Sequence, residues 1–102
     1  MDGKDINLGN VELTGFRDVD PSSMGIINKN IGHYTKRISE LTKKFQILHI
    51  TLKSVHEREK SEKYEVHTKV IDNGKVYSAE TTDRNLLVAV DKALRKIVNE
   101  LE

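Results

Sequence analysis

Between residues 27 and 45 the apolar positions fall at Ile27, Ile31, Tyr34, Ile38, Leu41 and Phe45, spaced four, three, four, three and four. That spacing predicts one face of an amphipathic helix, because residues three and four apart stack on the same side. Upstream, "DVDPSS" places Pro21 next to Ser22 and Ser23, either of which suits a helix cap. Gly25 and Gly32 each cost about 1 kcal/mol relative to Ala in a helix interior, so this helix needs tertiary packing to hold. The period then shortens to two. Leu48, Ile50 and Leu52 alternate with His49, Thr51 and Lys53, and Tyr64, Val66, Thr68 and Val70 alternate with Glu65, His67 and Lys69. Two strands, each buried on one side, are predicted.

Asn73-Gly74 reads as a two-residue hairpin turn, since both positions tolerate positive φ. It predicts that Val70 faces Tyr77, Thr68 faces Ala79 and Val66 faces Thr81. A preceding hairpin centred near Lys60 would set His67 opposite Lys53 and His49 opposite Ile71. Leu87, Val90, Leu94, Ile97 and Leu101, at spacings of three, four, three and four, predict a final helix with Asp83 or Asn85 at its cap. Leu8, Val11 and Leu13 supply one strand, or two short pieces, at the start. The order is β-α-β-β-β-α, an α+β class with one four-stranded, mostly antiparallel sheet and two helices packed on one face. The other face would be open, carrying Lys53, His67 and Lys69 together with Ile47, Val55, Ile71 and Val76.

A length of 102 residues fits one domain spanning 1–102, and 36% hydrophobic residues without Trp predict a thin, aliphatic core. The absence of cysteine removes disulfides, thiolate metal sites and a cysteine nucleophile. No apolar run is long enough for a spanning helix, and "MDGKDINLG" lacks the regions of a signal peptide, so a soluble cytoplasmic protein is expected. The net charge of +1 hides an uneven distribution. Lys and Arg number two against five Asp and Glu in residues 1–21, ten against five in 22–69, and five against six in 70–102. The basic middle permits an anionic partner, although a solvated helix face produces similar counts.

Motifs for chemistry are sparse. "GKVYS" lacks the earlier glycine of a P-loop, and no dinucleotide fingerprint follows a strand. His33, His49, His56 and His67 lack the spacing of a zinc protease, and the hairpin centred near Lys60 gives no ligand cage, so no metal is expected. Asp72, Asp83 and Asp91 are accounted for by a turn, a cap and a helix surface. Neither catalysis nor a cofactor is expected. The remaining candidates are cations: Lys29, Lys36, Arg37 and Lys43 on the first helix, Lys92, Arg95 and Lys96 on the last, and Arg84 near the start of the last. With both helices on one sheet face, their outward sides would form neighbouring ridges suited to phosphates. The open face lacks the paired exposed aromatics on which single-stranded bases stack, and serves equally as a surface for a homodimer.

With "GNVELT" at 9–14, "ITLKSV" at 50–55 and "YSAETTDRNLLVAVDKALRKIVNEL" at 77–101, the chain resembles the ribosome hibernation promoting factors, also called ribosome-associated inhibitors or the sigma-54 modulation family. The resemblance spans nearly the whole chain and is carried by pattern more than by signature residues. It implies binding of ribosomal RNA in the decoding region of the small ribosomal subunit, blocking messenger and transfer RNA, with no chemistry and no cofactor. It carries RNA contacts onto Lys36, Arg37, Lys92 and Lys96. Against the family pattern, "GFRDVDPSSM" reads as an insertion between the first strand and the helix. The α-β-β-β-α core is also like that of a double-stranded-RNA-binding domain, whose final helix normally opens on a lysine-rich turn, where this chain has Arg84.

Overall fold

The computed structural model describes residues 11–56 and 62–102. Six elements follow in the order β1 (Val11–Thr14), α1 (Pro21–Leu41), β2 (Phe45–His56), β3 (Glu62–Asp72), β4 (Lys75–Asp83) and α2 (Leu86–Leu101). The strands lie in sequence order across one sheet. β1 pairs parallel to β2, and the other two pairings are antiparallel. The class and element order are those read from the sequence. Leu8 and the turn near Lys60 lie outside the described residues.

The Asn73-Gly74 turn has φ of 52° and 86° at its two residues, and it sets Val70 against Tyr77, Thr68 against Ala79 and Val66 against Thr81, as predicted. The β2–β3 register differs from the hairpin centred near Lys60. Thr51 faces His67, Lys53 faces Glu65 and His49 faces Lys69, a slip of two residues that keeps the same side chains on the same face. Parity was legible because a slip of two preserves it; the partner of each residue was not.

Helix α1 starts and stops differently from the prediction. Its cap is Asp20, not Ser22 or Ser23, and the carboxylate accepts the Ser23 N–H at 3.0 Å. Pro21 explains the choice: it fits the first helical position, where its missing N–H and fixed φ cost nothing, so the cap must precede it. At the far end, Thr42 closes the helix, donating its hydroxyl and its N–H to the Ile38 carbonyl. The Asp72 carboxylate then accepts the N–H groups of Lys43 and Lys44 at 3.1 and 2.8 Å, turning the chain into β2. Phe45 therefore opens a strand and does not continue the helical face. A register shift between Phe45 and Ile47 lets Phe45 still pack on the core, which is why it mimicked a helical position.

Both helices cover the face formed by Leu48, Ile50, Leu52, Val66 and Val70, all buried. From α1 come Ile27, Ile31 and Ile38, and from α2 come Ala89, Val90, Ala93, Leu94, Ile97 and Val98. The buried stripe of α2 is wider than its leucine pattern predicted, because the helix meets α1 as well as the sheet, while Leu87 and Leu101 are only half-buried. The segment "GFRDVDPSSM" is anchored to this core through Phe16, which is only 7% exposed. Gly15 makes that possible: at φ +89° it passes so close to β2 that a Cβ would stand 2.1 Å from the Leu52 carbonyl oxygen.

Gly15, just after β1, and Gly25, inside α1, therefore predict opposite outcomes. Gly15→Ala meets backbone at a conformation that costs of order 1–3 kcal/mol, so it destabilises by at least that much in urea unfolding. Gly25→Ala, with nothing within 4 Å of the added methyl, raises stability by up to about 1 kcal/mol. Equal effects from the two substitutions would contradict the close approach at Gly15.

Candidate nucleic-acid interface

The core stripe of α1 decides where its cations go. Lys29 and Lys36 stand on the side opposite Ile27, Ile31 and Ile38, exposed and seven residues apart, two turns along one face. Among the described residues neither makes an ion pair. Arg37 lies on the flank toward α2. It is shared between Glu40, one turn on, at 3.5 Å, and Glu102 at the end of α2 at 3.1 Å. Lys43 sits in the α1–β2 connection with its side chain exposed, and its backbone is held by Asp72.

Helix α2 enters from Asn85, whose side chain accepts the Val88 N–H at 3.1 Å; of the two predicted caps it is Asn85 that serves. Asp83 accepts the Asn85 N–H at 2.9 Å and the Lys92 ammonium at 3.2 Å. The Asn85 N–H first and Lys92 second hold the Asp83 carboxyl below its ordinary value. Arg84 is exposed in this connection. Arg95 bonds Asp91 at 2.8 Å, and Asp91 accepts the Tyr34 hydroxyl at 3.0 Å, so the α1 and α2 ridges are joined by Tyr34, Asp91 and Arg95. The Tyr34 hydroxyl, followed by Asp91, raises the hold of Arg95 on its proton.

Lys92, Arg95 and Lys96 converge on a groove of about 380 Å³ between α2 and the edge strand β4, with Thr81, Thr82 and Asn99 completing its lining. The Lys96 ammonium donates to the Glu80 carbonyl at 3.0 Å, satisfying one outward-facing group of the edge strand. Lys92 and Arg95 remain 54% and 64% exposed in their pairs. Exposed pairs of this kind contribute only about 0–1 kcal/mol, so a phosphate can displace the carboxylates at little cost. The structure thus unites Lys92, Arg95 and Lys96, links them through Asp91 to α1, and leaves Lys29 and Lys36 as the unpaired ridge. Lys43 and Arg84 belong to the two connections, not to the ridges.

The open sheet face is polar over most of its area. Its cross-strand rows read His49, Lys69, Ser78, then Thr51, His67, Glu80, then Lys53, Glu65, Thr82. One apolar row, Ile47, Ile71 and Val76, crosses three strands beside the Asn73-Gly74 turn. The Val55 side chain, assigned to the same face, lies outside those described. His67 stands between two carboxylates, bonded through Nε2 to Glu65 and facing Glu80 through Nδ1 at 3.4 Å. Sequence reasoning missed this cluster, although the hairpin register already set Glu80 opposite His67.

No family model and no curated protein sequence matches the chain. Solved structures do. A ribosomal subunit interface protein from Coxiella burnetii superposes with a TM-score of 0.63 at 18% identity, over 90% of this chain and 92% of that one. The N-terminal domain of Protein Y from Thermus thermophilus gives 0.57 at 12% identity, over 91% and 93%. At these identities the likeness is one of fold, and the fold implied by the sequence resemblance is the one the chain has. Among the described residues no helix is long and apolar enough to cross a membrane.

The Asp83 network has a pH signature. Its carboxyl, depressed in the folded state, adds stability that is fully present above the unfolded value near pH 3.8 and is lost as pH falls through the folded value. Carboxyl-detected NMR is expected to show Asp83 titrating below 3.8; in Lys92→Met the midpoint moves up yet stays depressed, because the Asn85 N–H remains. A Lys92→Met midpoint at the ordinary value would show that the ammonium, not the backbone, is the main cause.

Proposed function

We propose that this protein binds RNA of the small ribosomal subunit through the outward faces of its two helices and modulates translation there. The observation that carries this reading is the unpaired Lys29 and Lys36 ridge beside the Lys92, Arg95 and Lys96 groove, on a fold shared with a ribosomal subunit interface protein. The ridges are built on rigid helices joined by the Tyr34–Asp91 hydrogen bond, so their spacing is held before any ligand arrives. Such a surface meets phosphates without reading bases, since base contacts and not phosphate contacts specify sequence. RNA shape supplies the selectivity.

Within this reading the site is the decoding region, where occupancy would exclude messenger and transfer RNA. The protein acts by occupying space, with no bond made or broken, and works in the cytoplasm. Lys29, Lys36, Lys92, Arg95 and Lys96 carry the contacts. Arg37 contributes after release from Glu40 and Glu102, while Lys43 and Arg84 extend the surface at either end. Structured RNA outside the ribosome satisfies the same phosphate chemistry and is separated from this reading by competition.

Co-sedimentation with small subunits across a salt series tests it. Binding is expected to weaken steeply as salt rises, and Lys29→Glu/Lys36→Glu and Lys92→Glu/Lys96→Glu should each lower the salt slope by about two, one for each lost phosphate contact. Lys53→Glu/Lys69→Glu, on the opposite face, should bind as wild type. Absence of binding at low salt, or loss confined to the Lys53/Lys69 variant, would overturn the proposal. Sedimentation velocity over a concentration range in the same experiment reads whether the Ile47, Ile71 and Val76 row pairs two copies.

A further inference from the structure

The open face of the sheet, away from the helices, brings together a second cluster of polar side chains. Glu65, His67 and Glu80 each offer one ligand atom, and these atoms lie within 4.8 Å of one another. The positions are set by backbone and not by a loop. Glu65 and His67 are two apart on β3 and therefore point to the same side, while Glu80 is the direct cross-strand partner of His67 on β4. His67 and Glu80 border a depression of about 570 Å³ that also includes His49, Thr51, Lys53, Lys69 and Ser78.

The arrangement is not the one that simple charge pairing would select. Lys53 stands directly opposite Glu65, and Lys69 lies one row from Glu80 across the same strands. Among the described residues neither lysine makes an ion pair, and both carboxylates turn to the imidazole instead. Two carboxylates against one imidazole leave the cluster net negative whichever protonation state the ring adopts. His67 and Glu65 keep only 34% and 29% of their side-chain surface exposed, so this charge is partly withdrawn from water. A doubly charged cation would neutralise it.

We infer that Glu65, His67 and Glu80 form a binding site for a divalent first-row transition ion of the zinc class. One imidazole nitrogen with two carboxylate oxygens is a donor set that suits zinc and its neighbours, whereas magnesium and calcium take oxygen ligands. Ligand bonds of about 2.1 Å in a tetrahedral shell need donor atoms about 3.4 Å apart, so one carboxylate must leave the ring nitrogen it now faces and turn to the nitrogen that holds the ion. The remaining position takes water. Lys53, Lys69 and His49 flank the site, and the two lysines oppose the ion, which limits its affinity.

The test uses purified full-length protein without ribosomes, so its result is independent of the RNA reading. Isothermal titration with zinc chloride, with magnesium chloride as the control, should show one equivalent of zinc bound and no magnesium. NMR should place the perturbation on the His67 ring protons. His67→Gln and Glu80→Gln should each weaken zinc by about tenfold or more, while His49→Gln and His33→Gln bind as wild type. Amide spectra matching wild type establish that each variant is folded, and the exposed position of Glu80 makes its variant safe if His67→Gln is not. Zinc heat that is absent in the wild type, undiminished in both cluster variants, or lost equally in His49→Gln overturns the inference.

Discussion

The close approach of α2 to the sheet sets the geometry of the whole helical side. Ala89 and Ala93 are fully buried where the helix crosses β3 and β4, and their small side chains let the backbone come within hydrogen-bond reach of the strands. The Thr81 hydroxyl then donates to the Ala89 carbonyl at 2.8 Å, and the Thr68 hydroxyl to the Ala93 carbonyl at 3.2 Å. Each such bond contributes only about 1 kcal/mol net, whereas burying Val90, Leu94 and Ile97 contributes about 1.5–3 kcal/mol apiece. Apolar burial holds the helix down; the hydroxyls decide where along its axis it sits. That axial position aims Lys92, Arg95 and Lys96 at the β4 edge and brings Asp91 to Tyr34.

The chain's cations are thereby sorted by what the fold places near them. Those along α2 and at the end of α1 meet carboxylates or a strand carbonyl, and the exposed pairs contribute little to stability. Lys29 and Lys36, facing away from every packed element, meet none among the described residues. A net charge of +1 thus coexists with one face rich in displaceable or unpaired cations. Such a distribution contributes little to folding, since exposed pairs are worth only about 0–1 kcal/mol. The opposite face carries a carboxylate–imidazole cluster flanked by Lys53 and Lys69.

Periodicity determined by itself which residues face inward, because a face is a property of one element: Ile27, Ile31 and Ile38 on α1, Leu48, Ile50 and Leu52 on β2, and Val66, Thr68 and Val70 on β3 are buried as their spacing required. The Asn73-Gly74 turn likewise determined the β3–β4 register, since a two-residue turn leaves no slack. Element order and the cationic character of both helices were legible for the same local reason. What required tertiary structure were relations between distant segments: the Asp72 carboxylate that turns the chain from α1 into β2, the two-residue slip of β2 against β3, the passage of Gly15 under Leu52, and the Glu102 carboxylate that engages Arg37. Each depends on a partner more than about one turn or hairpin away, and single-strand alternation carries no information about which even-numbered shift a neighbour will choose.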